Sequence, residues 1–119
     1  MRTTEQQLPA ESLTLDSPIH TLVSSDTVET RGKQALSRLA GYPCFPSDRA
    51  LAGALHSATD KVNARALWDR QIEVLTLGES IALYVEVFER AAHNDLMADR
   101  ITHRQYSTRL TRLRNKVIG

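Results

Sequence analysis

The chain has 119 residues, 41 % of them hydrophobic, with 15 Lys and Arg against 14 Asp and Glu for a formal charge of +1. That length fits one domain, and the charge balance excludes a global field drawing the whole molecule to nucleic acid or an anionic membrane. The one cysteine, Cys44, excludes an internal disulfide and a cysteine-cluster metal site, and points to a reducing, cytoplasmic setting. No apolar run approaches the ~20 residues needed to span a bilayer, and the first residues lack the apolar stretch of a signal peptide. Rings are few (one Trp, three Tyr, two Phe), so a core must rest on Leu, Ile, Val and Ala.

The charge is unevenly distributed. Residues 1–30 carry Arg2 against Glu5, Glu11, Asp16, Asp26 and Glu29. Residues 31–99 are nearly balanced. Residues 100–119 hold Arg100, Arg104, Arg109, Arg112, Arg114 and Lys116 and no acid. Ends of opposite sign suggest a basic contact face and an acidic tail able to fold over it.

Residues 1–26 read as a disordered or weakly ordered leader. Ser, Thr, Gln, Pro and Glu dominate there, and Leu8, Leu13, Leu15, Ile19, Leu22 and Val23 keep no sustained period. A short strand around Thr21–Ser24 is the one regular element signalled. The remainder, 27–119, reads as a single helical domain.

A first helix is predicted from Val28 to Ala40, with Ala35, Leu36 and Leu39 on its apolar side, and Gly41 and Pro43 closing it. Gly32 weakens its middle by about 1 kcal/mol relative to Ala. Tyr42 to Pro46 is an extended connector, because each proline pushes its predecessor out of the helical region. Tyr42 and Phe45 are its anchors, and Cys44, without a neighbouring base or cation, is an unreactive small hydrophobe.

From Ser47 onward the chain has no proline and reads as helical throughout. Ser47 caps a helix whose stripe is Leu51, Leu55, Ala58 and Val62. The stripe loses phase near Asn63, and Trp68, Ile72 and Leu75 begin another, which predicts a kink or break near Thr59–Asn63. If one helix carried both stripes, the exposed one could drive a homodimer. Thr76-Leu77-Gly78-Glu79 is a capping box that opens a widely apolar, and therefore central, helix. Its polar strip is Glu79, Glu86, Glu89, Arg90 and His93. A second capping box, Thr102 to Gln105, opens a last helix with the narrow stripe Tyr106, Leu110, Leu113 and Val117. This Ile101-Thr102-x-x-Gln105-Tyr106-x-x-x-Leu110-x-x-Leu113 run is similar to the helical hairpin of short SHOCT-type modules. The acidic residue and glycine usual in that pattern are absent, so the likeness implies hairpin packing and no function. The expected fold is all-α, a compact array of four to five helices.

Chemistry is sparse. Glycines are scattered singly, with no phosphate-cradling loop, and no serine sits in a nucleophile elbow. Glu86, Glu89 and His93 share one face, but helical metal sites draw ligands from a second helix and no second Glu-x-x-His exists. Exposed glutamates could serve acid–base work in any helical protein, and a chain this short leaves little volume for a pocket. No catalytic residue, metal or cofactor is therefore assigned.

The basic last helix stands out. Cations near a helix C-terminus complement its dipole, but arginine is also the side chain best suited to planar contacts with carboxylate or phosphate. The expectation is a small non-enzymatic binding or regulatory protein. It would occupy an acidic surface of a larger protein or complex through Arg104, Arg109, Arg112, Arg114 and Lys116. A nucleic-acid-binding regulator using the same helix is the alternative, and a metal-dependent or acid–base enzyme a distant third.

Overall fold

The computed structural model describes residues 13–21, 28–39, 44–66 and 73–119. In chain order these form strand β1 (Pro18–Thr21), helix α1 (Val28–Arg38), helix α2 (Asp48–Ala66), strand β2 (Glu73–Thr76), helix α3 (Leu77–Met97) and helix α4 (His103–Val117). The architecture is mostly helical, with four helices among the described residues.

Helix α3 is central because its N-terminal half is apolar almost all round. Leu77, Ile81, Ala82, Leu83, Tyr84 and Val85 are all buried, and α1, α2, α4 and β2 pack around it. The main core joins Ile81, Ala82 and Val85 to Ala35 and Leu39 of the α1 region, Leu51 of α2, and Leu113 and Val117 of α4. A smaller cluster holds Ala58, Leu75 and Leu83 together.

Gly32 explains how α1 lies so close to α3. A Cβ at this position would come within 2.0 Å of the Tyr84 Cβ and 2.8 Å of the Ser80 carbonyl oxygen. The helical weakness of glycine is thus offset by backbone approach that no larger residue permits.

Both capping boxes form. Thr76 Oγ1 accepts from the Glu79 amide at 3.0 Å while Glu79 Oε1 accepts from the Thr76 amide at 2.8 Å. Thr102 and Gln105 reciprocate in the same way at 3.1 and 2.8 Å. Between the two helices Asp99 takes the left-handed conformation at φ 60°. The Asp99 amide then donates to Leu96 and that of Arg100 to Asp95, the paired closure of a Schellman turn.

Three expectations are corrected. Residues 13–21, assigned to the leader by composition, pack on the helices instead. Leu13 is buried in the main core, and β1 pairs antiparallel with β2, placing Ile19 opposite Leu75. The strand falls at Pro18–Thr21, ahead of the expected Thr21–Ser24, whose residues 22–24 lie outside the described residues. The physical reason is the start of α3: its Leu77 amide donates to Ser17 O at 2.8 Å and its Gly78 amide to Leu15 O at 2.9 Å. With the two capping-box bonds, all four amides that a helix start leaves unpaired are satisfied.

Second, residues 73–76 are a strand rather than helix, since the cap requires Thr76 to be extended (φ −77°, ψ 162°). Leu75 is fully buried in that strand, so it is not the last member of a helical stripe. Trp68 and Ile72 lie outside the described residues, as do Gly41, Tyr42 and Pro43. Third, α2 runs unbroken through Thr59–Asn63 to Ala66, with Leu51 and Ala58 buried as the first stripe requires.

Phe45 anchors the connector as expected. It is buried, its amide donates to Val117 O at 2.8 Å, and its carbonyl accepts from the Gly119 amide at 2.9 Å. The end of α4 is thereby stitched to the segment that enters α2.

Candidate binding surface on the last helix

Helix α4 buries Leu113 and Val117 and half-buries Tyr106 and Leu110, so the predicted stripe sets its rotation. At 100° per residue, Arg109, Lys116, Gln105, Arg112, Thr108 and Arg104 follow one another around the opposite side. All six are exposed. Arg104, Gln105, Thr108, Arg109 and Arg112 border a shallow depression of about 280 Å³.

The cations of the C-terminal segment differ in their partners. Arg114 faces inward. Its guanidinium reaches Glu89 Oε2 on α3 at 2.8 and 2.9 Å and also bonds Asp48 at the start of α2. Burial alone would lower its pKa, but Glu89 and Asp48 outweigh that and raise it. Arg109 is intermediate, touching Asp95 Oδ2 at 3.3 Å, while Arg100 holds Asp95 Oδ1 at 2.9 Å. The hydrogen bond from Arg100 leads in keeping the Asp95 carboxyl below its usual range; burial opposes it, and Arg109 adds a lesser lowering. Arg104, Arg112 and Lys116 form no ion pair among the described residues. The five residues singled out from the sequence therefore share a helix but not a role.

The acidic residues of α3 are similarly sorted. Glu86 pairs with Arg90 at 2.7 Å, and the ring of His93 meets that of Tyr106 edge-on at 6.4 Å. Among the described residues no three His, Cys, Asp or Glu side chains are gathered around a common point. Glu79, expected on the polar strip, is buried: its carboxylate accepts from Ser57 Oγ at 2.6 Å and Lys61 Nζ at 2.9 Å besides the Thr76 amide. Burial would raise its pKa, but these three donors outweigh that and hold it below the usual carboxylate value. The capping box announced the Thr76 bond, whereas Ser57 and Lys61, one turn apart on α2, carried no visible signal.

A second concavity was not anticipated from so short a chain. A hollow of about 540 Å³ opens between α1, α3 and the end of α4, walled mainly by Leu, Ile, Val, Phe and Tyr, with Lys33 and Lys116 among its borders. Among the described residues no helix is long and apolar enough to cross a membrane. No protein-family model, curated protein or solved structure matches this chain.

Proposed function

We propose that this chain is a small non-enzymatic binding or regulatory protein that occupies an acidic surface of a larger protein partner. The contact face is the outward side of α4, with Arg104, Arg109 and Arg112 as its anchors and Lys116 at its far end. The observation that carries this reading is the contiguous exposed row of Arg104, Arg109 and Arg112 around one depression, two of them without a carboxylate partner among the described residues. Arginines in such a row can each contribute ~2 kcal/mol or more at the centre of an interface. Arg114 is a positioning residue that docks α4 onto α2 and α3. A reducing, cytoplasmic setting belongs to the reading on the strength of Cys44 being the one cysteine.

Nucleic acid is the second reading, favoured by the affinity of guanidinium for phosphate and disfavoured by the formal charge of only +1. The test is a triple variant, Arg104→Gln, Arg109→Gln and Arg112→Gln, compared with the parent against a partner identified by affinity capture. Binding should fall at least tenfold and lose part of its salt dependence, with the melting temperature nearly unchanged. Unchanged partner affinity would remove the outward face of α4 from the mechanism. Tight, steeply salt-dependent binding to plain duplex DNA would favour the second reading.

A further inference from the structure

The hollow between α1, α3 and the end of α4 is lined by other residues than the depression around Arg104, Arg109 and Arg112, and Lys116 is the one residue it shares with the proposed contact face. Its volume of about 540 Å³ falls within the range of roughly 300–1,000 Å³ typical of small-molecule sites. Leu15, Leu36, Leu39, Ile81 and Val117 make its wall mostly aliphatic, with Phe45 and Tyr84 completing it. Besides the lysines, the polar side chains bordering it are Ser37, Cys44 and the Tyr84 phenol. The Cys44 thiol is already directed to the Lys116 carbonyl at 3.3 Å.

Such a wall discriminates between occupants. A peptide segment would bring backbone N–H and C=O groups that find few partners there, and each unpaired buried polar group is unfavourable. A hydrocarbon chain has no such groups. The border has the opposite character. Lys33 of α1 and Lys116 of α4 are both exposed, and neither forms an ion pair among the described residues. Among the described residues no carboxylate borders the hollow; the charge of Glu29 is felt at the Tyr84 hydroxyl, but Glu29 is not part of the wall. An aliphatic cavity bordered by two ammonium groups that form no ion pair among the described residues complements a molecule that is apolar along its length and anionic at one end.

We propose that this hollow binds a free long-chain carboxylate of the fatty-acid type, its hydrocarbon chain against the aliphatic wall and its carboxylate at the border formed by Lys33 and Lys116. Ligand specificity has two separable parts: the chain supplies affinity through burial, and the lysines select the anionic head.

The test uses the full chain with decanoate, kept well below its micellar concentration, and with decanol as the neutral counterpart. Calorimetry should show saturable 1:1 binding of decanoate, and bound ligand should slow alkylation of Cys44 by iodoacetamide. Lys33→Gln with Lys116→Gln should weaken decanoate at least tenfold and leave decanol within about twofold. Ser37→Trp, at an exposed position of α1 and confirmed folded by its melting curve, should obstruct the hollow and abolish binding of both. Arg104→Gln with Arg112→Gln should change neither, which separates this site from the outward face of α4. Absence of saturable decanoate binding by folded protein would overturn the proposal, as would equal decanoate affinity in the parent and the double-lysine variant.

Discussion

Glu79 shows how a single buried charge can be tolerated and used. Its carboxylate has three donors from two elements, so its desolvation is answered by Ser57 and Lys61 of α2 and by the Thr76 amide. Glu79→Ala leaves those donors unpaired and should destabilise by about 2–3 kcal/mol in a urea titration at pH 7. The Lys61 share of this is small, since its side chain is half exposed. Because the folded pKa lies below the ordinary 4.5, the stabilisation is fully present above that value and is lost as pH falls through the folded pKa. The stability gap between parent and Glu79→Gln should therefore be widest near neutrality and close on acidification. A gap that widens in acid would mean the carboxyl is held protonated.

Gly32 is the second informative residue, because two effects compete there with opposite sign. Helix propensity favours Gly32→Ala by about 1 kcal/mol. Contact opposes it, as the new methyl would lie 2.0 Å from the Tyr84 Cβ and 2.8 Å from a backbone oxygen, and backbone cannot rotate away. Overpacking of this kind is worth roughly 1–3 kcal/mol or more, so contact should win and Gly32→Ala should lower the melting temperature. A raised melting temperature would place α1 farther from α3.

At the scale of elements, the ribbon of β1 and β2 decides how the first residues are used. Removing residues 1–26 deletes the buried Leu13 and the carbonyls of Leu15 and Ser17 that accept from the start of α3. One buried leucine is worth about 1.5–3 kcal/mol, and each lost backbone bond about 0.5–1.5 kcal/mol. The truncated chain should lose several kcal/mol by chemical denaturation. A leader that merely trails in solvent would come off with no change.

What could be read from the chain follows from the range of the forces involved. Helices α3 and α4 were legible because capping boxes and 3.6-residue stripes are local: Thr76 and Glu79, or Tyr106, Leu110 and Leu113, carry their meaning within a few residues. The ribbon was not, because each strand is four residues long and its partner lies more than fifty positions away. The acceptors at Leu15 and Ser17 are backbone carbonyls, which leave no side-chain signature at all. Leu13 and Leu15 looked aperiodic because they enter the core from a turn, in which Ser17 Oγ accepts from the Thr14 amide at 3.0 Å, and not from a helix. On α4 the basic character was plain, but its division was hidden, since Glu89 and Asp48 lie 25 and 66 positions from Arg114.

That division has a direct consequence for stability. Arg114→Gln breaks the link from α4 to both α2 and α3 and should destabilise by about 1 kcal/mol, the side chain being partly exposed. Arg104→Gln and Arg112→Gln should each stay within about 0.5 kcal/mol. Thermal melts of the three single variants give the order. If Arg104 or Arg112 proves the more destabilising, the rotation of α4 is wrong.

For the whole molecule, the central α3 gathers α1, α2 and α4 around it, and two concavities are lined by different residues of α4. One is basic and open, bordered by Arg104, Arg109 and Arg112; the other is apolar with lysines at its border. The central claim concerns the first. Its most direct test is a photo-cross-linking side chain at Thr108, amid those three arginines, against the same group at Gly53, which sits in open space on α2. The account predicts one acidic protein captured from Thr108, lost at high salt and lost in the Arg104→Gln/Arg112→Gln background, and no capture from Gly53. Capture from Gly53 and not Thr108, or a Thr108 adduct indifferent to the arginines, would contradict it.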